Sequence, residues 1–127
     1  MLLAQFALYT GASLLHFVHN AEFLDSYPNL PEWLTRAQVY GAWLAVFAVG
    51  VLGLLVLRRG FQRFGLGLLM VYAALGFAGL DHYLAAPISA HTPVMNFTIF
   101  FEVATACLLL LYLLAQLFRT IRSPQPG

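Results

Sequence analysis

The chain has little charge. Of its 127 residues only 9% are charged and none of the six basic residues is a lysine, whereas 61% are hydrophobic. A soluble domain carries roughly 25% charged residues, and a chain this short has too little interior to hide so many apolar side chains. The scattered arginines form no basic surface that could follow a phosphate backbone. The composition therefore predicts an integral membrane protein and argues against nucleic-acid binding.

Cysteine and linker sequence are also scarce. The single cysteine, Cys107, has no partner for an intrachain disulfide and lies in an apolar stretch, so we interpret it as a small core residue. No tract rich in serine, glycine or proline marks an interdomain linker. The sequence therefore predicts a single domain over residues 1–127.

Four apolar runs are long enough to cross the hydrocarbon core of a bilayer, which takes about 20 helical residues. Short segments with proline, glycine or arginine separate them, and short connections join antiparallel neighbours. The predicted fold class is an all-α integral membrane protein, built as an antiparallel up-down four-helix transmembrane bundle. The predicted spans are residues 2–24, 36–57, 61–84 and 93–118.

The arginines predict how this bundle is oriented. Only Arg36 falls at one predicted membrane face, and the other five fall at the opposite face: Arg58, Arg59, Arg63, Arg119 and Arg122. Because basic residues stay on the cytoplasmic side, both termini are predicted to be cytoplasmic. The first run lacks the basic start of a signal peptide, so we expect it to be retained. The expected location is a bacterial inner membrane.

Ionisable side chains other than arginine gather in the outer half of the predicted bundle. Each one inside hydrocarbon is costly unless it is paired, so this one-sided pattern predicts a functional site near the outer face. The set comprises all four histidines and all five acids: His16, His19, His82, His91, Glu22, Asp25, Glu32, Asp81 and Glu102.

His16 and Glu102 share a predicted depth, about 12 Å below the outer boundary at a rise of about 1.5 Å per residue. Each belongs to a stripe of polar residues with helical spacing, which we expect to face the interior of the bundle. The stripes are Tyr9, Ser13, His16 and Asn20 on the first span and Thr98, Glu102 and Thr105 on the fourth.

Imidazoles and carboxylates from several helices are typical ligands of transition metals in helix bundles. The leading hypothesis is therefore an outward-facing transition-metal site between the first, third and fourth spans, holding zinc, iron, manganese or copper. Chemistry on a lipophilic substrate from the bilayer would use Glu102 and His16 as the catalytic pair. The predicted metal-site residues are His16, His19, His82, Glu102, Asp81 and Glu22.

Several alternatives stay open. His16 and Glu102 in a dry pocket suit a cofactor-free acid/base enzyme of the isomerase type, acting on a sterol, an isoprenoid or a quinone. Haem ligation between His82 and His16 or His19 is less favoured, because carboxylates lie so close. The chain could also be an accessory subunit of a membrane complex or a homo-oligomer. Finally, a buried histidine and glutamate could simply lock helix packing.

Overall fold

A computed structural model describes residues 1–122 of the chain. Every regular element in that range is helical, which confirms the all-α class. The predicted single domain extends to residues 123–127, which lie outside the described residues. The α-helices are α1 (Leu2–Glu22), α2 (Arg36–Arg58), α3 (Gln62–Leu75), α4 (His82–Ala85) and α5 (Pro93–Arg122), with 3-10 turns at Leu24–Ser26, Gly76–Asp81 and Ile88–Ala90.

Three helical stretches of the described chain are long and apolar enough to cross a membrane, by length and composition. They are Arg36–Arg58, Gln62–Ala85 and Pro93–Arg122. The first predicted span, residues 2–24, forms α1 but is not among them. Its buried polar residues, including Ser13 and His16, lower its mean hydropathy.

The third predicted span, residues 61–84, departs from a regular α-helix. After α3 ends at Leu75, Gly76–Asp81 winds as a 3-10 helix and α4 adds only one further turn. Glycine permits close packing here, because a Cβ added at Gly76 would lie 2.7 Å from the hydroxyl of Tyr9. The 3-10 segment packs mainly against α5. Its winding decides which side chains of the third span face the interior.

The four long helices pack around a shared apolar core. Among the described residues α1 packs against α2 and α5, and α3 also packs against α2 and α5. This packing buries apolar surface between the helices, whatever solvent surrounds their outer faces. The buried core cluster consists of Phe6, Tyr9, Leu66, Leu69, Tyr72, Ala73, Ala106, Leu109 and Leu113.

Two loops, residues 23–35 and 86–92, lie together at what we call the loop end of the bundle. Asn29, in the left-handed conformation with φ of 58°, donates a hydrogen bond from Nδ2 to the carbonyl of Ala85 at 2.9 Å. Thr35 and Gln38 form a capping box that starts α2. The first contact holds the loop of residues 23–35 against the end of α4, and the second fixes where α2 begins.

Gly65 offers a test of the α2–α3 packing. A Cβ at Gly65 would lie 2.7 Å from the backbone Cα of Leu57, so Gly65→Ala should lower the free energy of unfolding by about 1–3 kcal/mol. Gly67→Ala is the matched control on the same helix, because no described atom lies within 4 Å of its added Cβ. It should stabilise α3 by about 0.5–1 kcal/mol. Denaturant titrations in micelles measure both, and equal effects would contradict the packing.

Candidate functional site

A buried hydrogen bond joins α1 to α5. The Nδ1 atom of His16 lies 2.5 Å from Oε2 of Glu102, and the two residues are 3% and 2% exposed. The structure therefore brings together the two residues that the sequence places at one depth. Gly79 of the 3-10 segment packs on both, because its added Cβ would lie 3.1 Å from Cε1 of His16 and 3.2 Å from Oε2 of Glu102.

His82 extends this contact into a chain of hydrogen-bonding groups. Its Nε2 lies 3.3 Å from Nε2 of His16 and 3.0 Å from Nδ2 of Asn20. The Asn20 amide nitrogen can only donate, so Nε2 of His82 accepts and carries a lone pair. By the same reasoning Nε2 of His16 carries a proton and donates to His82. The side chains in contact therefore follow one another in the order Glu102, His16, His82 and Asn20.

A cavity of about 90 Å³ adjoins this chain. It has room for about three water molecules at roughly 30 Å³ each. Its polar wall is formed by His16, His82, Asn20 and Glu102, so these groups face a space that a small molecule can enter. The full lining is His16, Phe17, Asn20, Leu75, Ala78, Gly79, His82 and Glu102.

Three of the six residues predicted to bind metal lie away from this cavity. His19 bonds through Nδ1 to the hydroxyl of Tyr27 at 2.9 Å. Glu22, at the end of α1, pairs with Nε of Arg36 at 3.0 Å, and Asp81 is exposed. His19 is rotated about 60° from His16 around α1, since residues three apart on an α-helix do not eclipse. Adjacent residues such as Asp81 and His82 point in different directions for the same reason.

The other candidate ligands do not complete the predicted metal site. Within residues 1–122 no group of three or more histidine, cysteine, aspartate or glutamate residues is arranged to hold a metal ion. His91 is buried, but its Nδ1 donates to the carbonyl of Pro87 at 3.0 Å. The structure thus brings together His16, His82 and Glu102 and leaves His19, Asp81 and Glu22 in other contacts.

Tyr27 is a site residue that the sequence reasoning missed. The sequence suggests an interfacial aromatic at the membrane boundary, but the structure buries Tyr27 to 4% exposure and places its ring 4.9 Å from that of His82. Burial raises the pKa of Tyr27 to about 12, so the phenol stays protonated and can donate to His19. No spacing in the sequence signals this position, because the path of the loop depends on tertiary contacts.

Comparisons of the chain with models of known protein families, with curated proteins and with solved structures find no match. Function is therefore inferred from the geometry of the cavity and of the groups that line it.

Tyr27→Phe tests whether burial keeps the phenol neutral. Between pH 10 and about 12 the folded protein keeps a proton that the unfolded chain releases, so the free energy of unfolding falls as pH rises through this window. We expect a shallower fall in Tyr27→Phe. Denaturant titrations of both proteins across the window measure the two slopes. Equal slopes would show that Tyr27 contributes nothing to the alkaline loss of stability.

Proposed function

We propose that the chain is a four-span integral membrane protein with antiparallel helices and both termini in the cytoplasm of a bacterium. Three helices are long and apolar enough to cross a bilayer. The 21 residues of α1 extend about 32 Å, enough for a hydrocarbon core of about 30 Å. Its polar residues Ser13 and His16 are buried, whereas Leu8, Leu14 and Leu15 are exposed and suit contact with lipid. The arginine bias supports the orientation.

Within this bundle we propose a cofactor-free enzyme that moves a proton on a lipophilic carbonyl compound. The observation that carries the proposal is the unbroken contact Glu102–His16–His82 on the wall of a cavity. One imidazole presents a proton and the other a lone pair at the same place, which are the two groups that acid/base catalysis needs. A pure packing lock would require neither the second histidine nor the cavity.

His16 and Asn20 supply the acidic side of the site. Both aim an N–H group at one point, now occupied by Nε2 of His82. With the His82 ring turned aside, a substrate carbonyl oxygen at that point would accept both hydrogen bonds, and the lone pair of His82 would be free to act beside it. Glu102 on the opposite nitrogen of His16 fixes the ring and stabilises positive charge on it, which strengthens the donor. In an apolar bundle such preoriented donors stabilise a developing enolate more than water does.

His82 supplies the basic side. The C–H bond at the γ carbon of the conjugated carbonyl compound breaks, its proton goes to Nε2 of His82, and its electron pair passes into the dienolate that His16 and Asn20 hold. The proton exchanges with solvent while His82 holds it, and His82 then delivers a proton to the α carbon. Atoms and electrons balance without an oxidant or reductant, and the double bond has moved. This is the isomerase-type chemistry that the pair of acid and base permits.

Deuterium exchange tests the proposal. Liposomes containing the protein in D₂O are given three carbonyl probes, namely citral, cholest-4-en-3-one and decylubiquinone, and deuterium uptake is followed by mass spectrometry. Glu102→Gln keeps the shape of the side chain and removes its charge, so exchange into at least one probe should fall by about 10²–10⁴-fold. His82→Gln should do the same.

Glu32→Gln is the matched control, because Glu32 is an exposed loop residue. Its exchange rate should equal that of the wild type. Exchange that is indifferent to Glu102 and His82, with only thermal stability altered, would mean that the pair locks the helices and would end the proposal of an enzyme.

A transition metal is the second candidate, favoured by one distance. Two imidazoles on a tetrahedral zinc with Zn–N bonds of about 2.0 Å have nitrogens about 3.3 Å apart, and Nε2 of His16 and of His82 are separated by 3.3 Å. Glu102 contacts the far nitrogen of His16, as carboxylates do behind metal-bound histidines. A third protein ligand would have to be the Asn20 amide oxygen, a weak donor. The same direct contact leaves no space for a haem between the two rings.

Elemental analysis of purified protein separates the two candidates. The acid/base proposal expects a folded wild type whose deuterium exchange survives a chelator. Near-stoichiometric metal that disappears in both His16→Ala and His82→Ala would replace it with the metal site.

A further inference from the structure

The cavity restricts what can reach the proton-transfer groups. Drug-sized ligands occupy pockets of about 300–1,000 Å³, and even a benzene ring was accommodated in an engineered cavity of about 150 Å³. The space beside His16 and His82 is about 90 Å³. A fused sterol nucleus or a substituted quinone ring exceeds it, whereas a carbonyl group with a few carbons of an acyclic chain does not.

The mouth of the cavity is apolar. Leu75, the last residue of α3, is 40% exposed, and Ala78 is exposed in the 3-10 segment that packs mainly against α5. Phe17 of α1, on the other side of the cavity lining, is partly exposed. The buried polar groups, His16 and Glu102, lie at the inner wall. A molecule that enters between Phe17 and Leu75 therefore passes apolar side chains before it meets a hydrogen-bonding group.

We propose, building on the proton-transfer function above, that the substrate is an acyclic isoprenoid-type enal or enone that enters carbonyl-first from the bilayer, between α1 and the third span. Its carbonyl oxygen bonds to the N–H groups of His16 and Asn20, and its first carbons fill the cavity beside His82. The rest of the chain passes Ala78 and stays in lipid. A narrow acyclic chain fits the volume of the cavity. Its single polar group, the carbonyl, can hydrogen-bond to the one polar wall.

Ala78 is the position that tests this route. Ala78→Trp places a large ring at the mouth and replaces none of the four polar residues, so deuterium uptake by citral should fall by about tenfold or more. Ala74→Trp is the matched control, one turn away on the same exposed face and outside the described lining of the cavity. It should retain the wild-type rate. Ala78→Leu is the smaller variant if Ala78→Trp does not fold, as judged by circular dichroism.

The three probes separate this inference from the function on which it rests. We expect Glu102-dependent exchange for the acyclic citral and none for cholest-4-en-3-one or decylubiquinone. Glu102-dependent exchange of either ring compound, or equal rates in Ala78→Trp and Ala74→Trp, would overturn the acyclic substrate and its lateral route while the proton-transfer site stands. Exchange that depends on Glu102 for no probe would overturn both.

Discussion

A carboxylate and an imidazole that leave water must satisfy each other, and in this bundle Glu102 and His16 do so from different helices at 2.5 Å. Removing one partner of such a buried pair leaves an uncompensated polar group, which costs about 3–5 kcal/mol. The pair therefore sets how far α1 can slide along α5, because any shift by a helical turn would separate the two groups. The contact of Gly79 and the position of His82 both depend on that register.

The helical segment Gln62–Ala85 adapts its backbone to this pair. A 3-10 helix turns about 120° per residue and an α-helix about 100°. Over the six residues of Gly76–Asp81 the difference accumulates to about 120°, which turns His82 well away from the direction that a regular helix would give it. Two glycines make this possible, since Tyr9 packs against Gly76 and the His16–Glu102 pair packs against Gly79. An irregular stretch thus delivers the second histidine to the site.

One hydrogen-bonding group on the wall of the cavity is left unused. Among the described residues, Oδ1 of Asn20 is buried without a hydrogen-bond partner, although the nitrogen of the same amide contacts His82. Buried polar atoms of this kind are costly unless something satisfies them. Asn20 lies on the cavity wall, where a water molecule or a substrate can supply the missing bond. The arrangement is therefore suited to an exchangeable occupant.

The sequence by itself determined the helical class, the inward polar stripes of α1 and α5, and the equal depth of His16 and Glu102. These follow from composition and from a helical rise and turn that are the same in every α-helix. It also suggested that residues 61–84 form one regular helix and that His19, Asp81 and Glu22 join the site. Only the tertiary structure decided that Gly76–Asp81 winds as a 3-10 helix, that Tyr27 covers His82, and that Glu22 pairs with Arg36. The winding of that segment and the path of a loop depend on packing between residues far apart in the chain, which local periodicity does not encode.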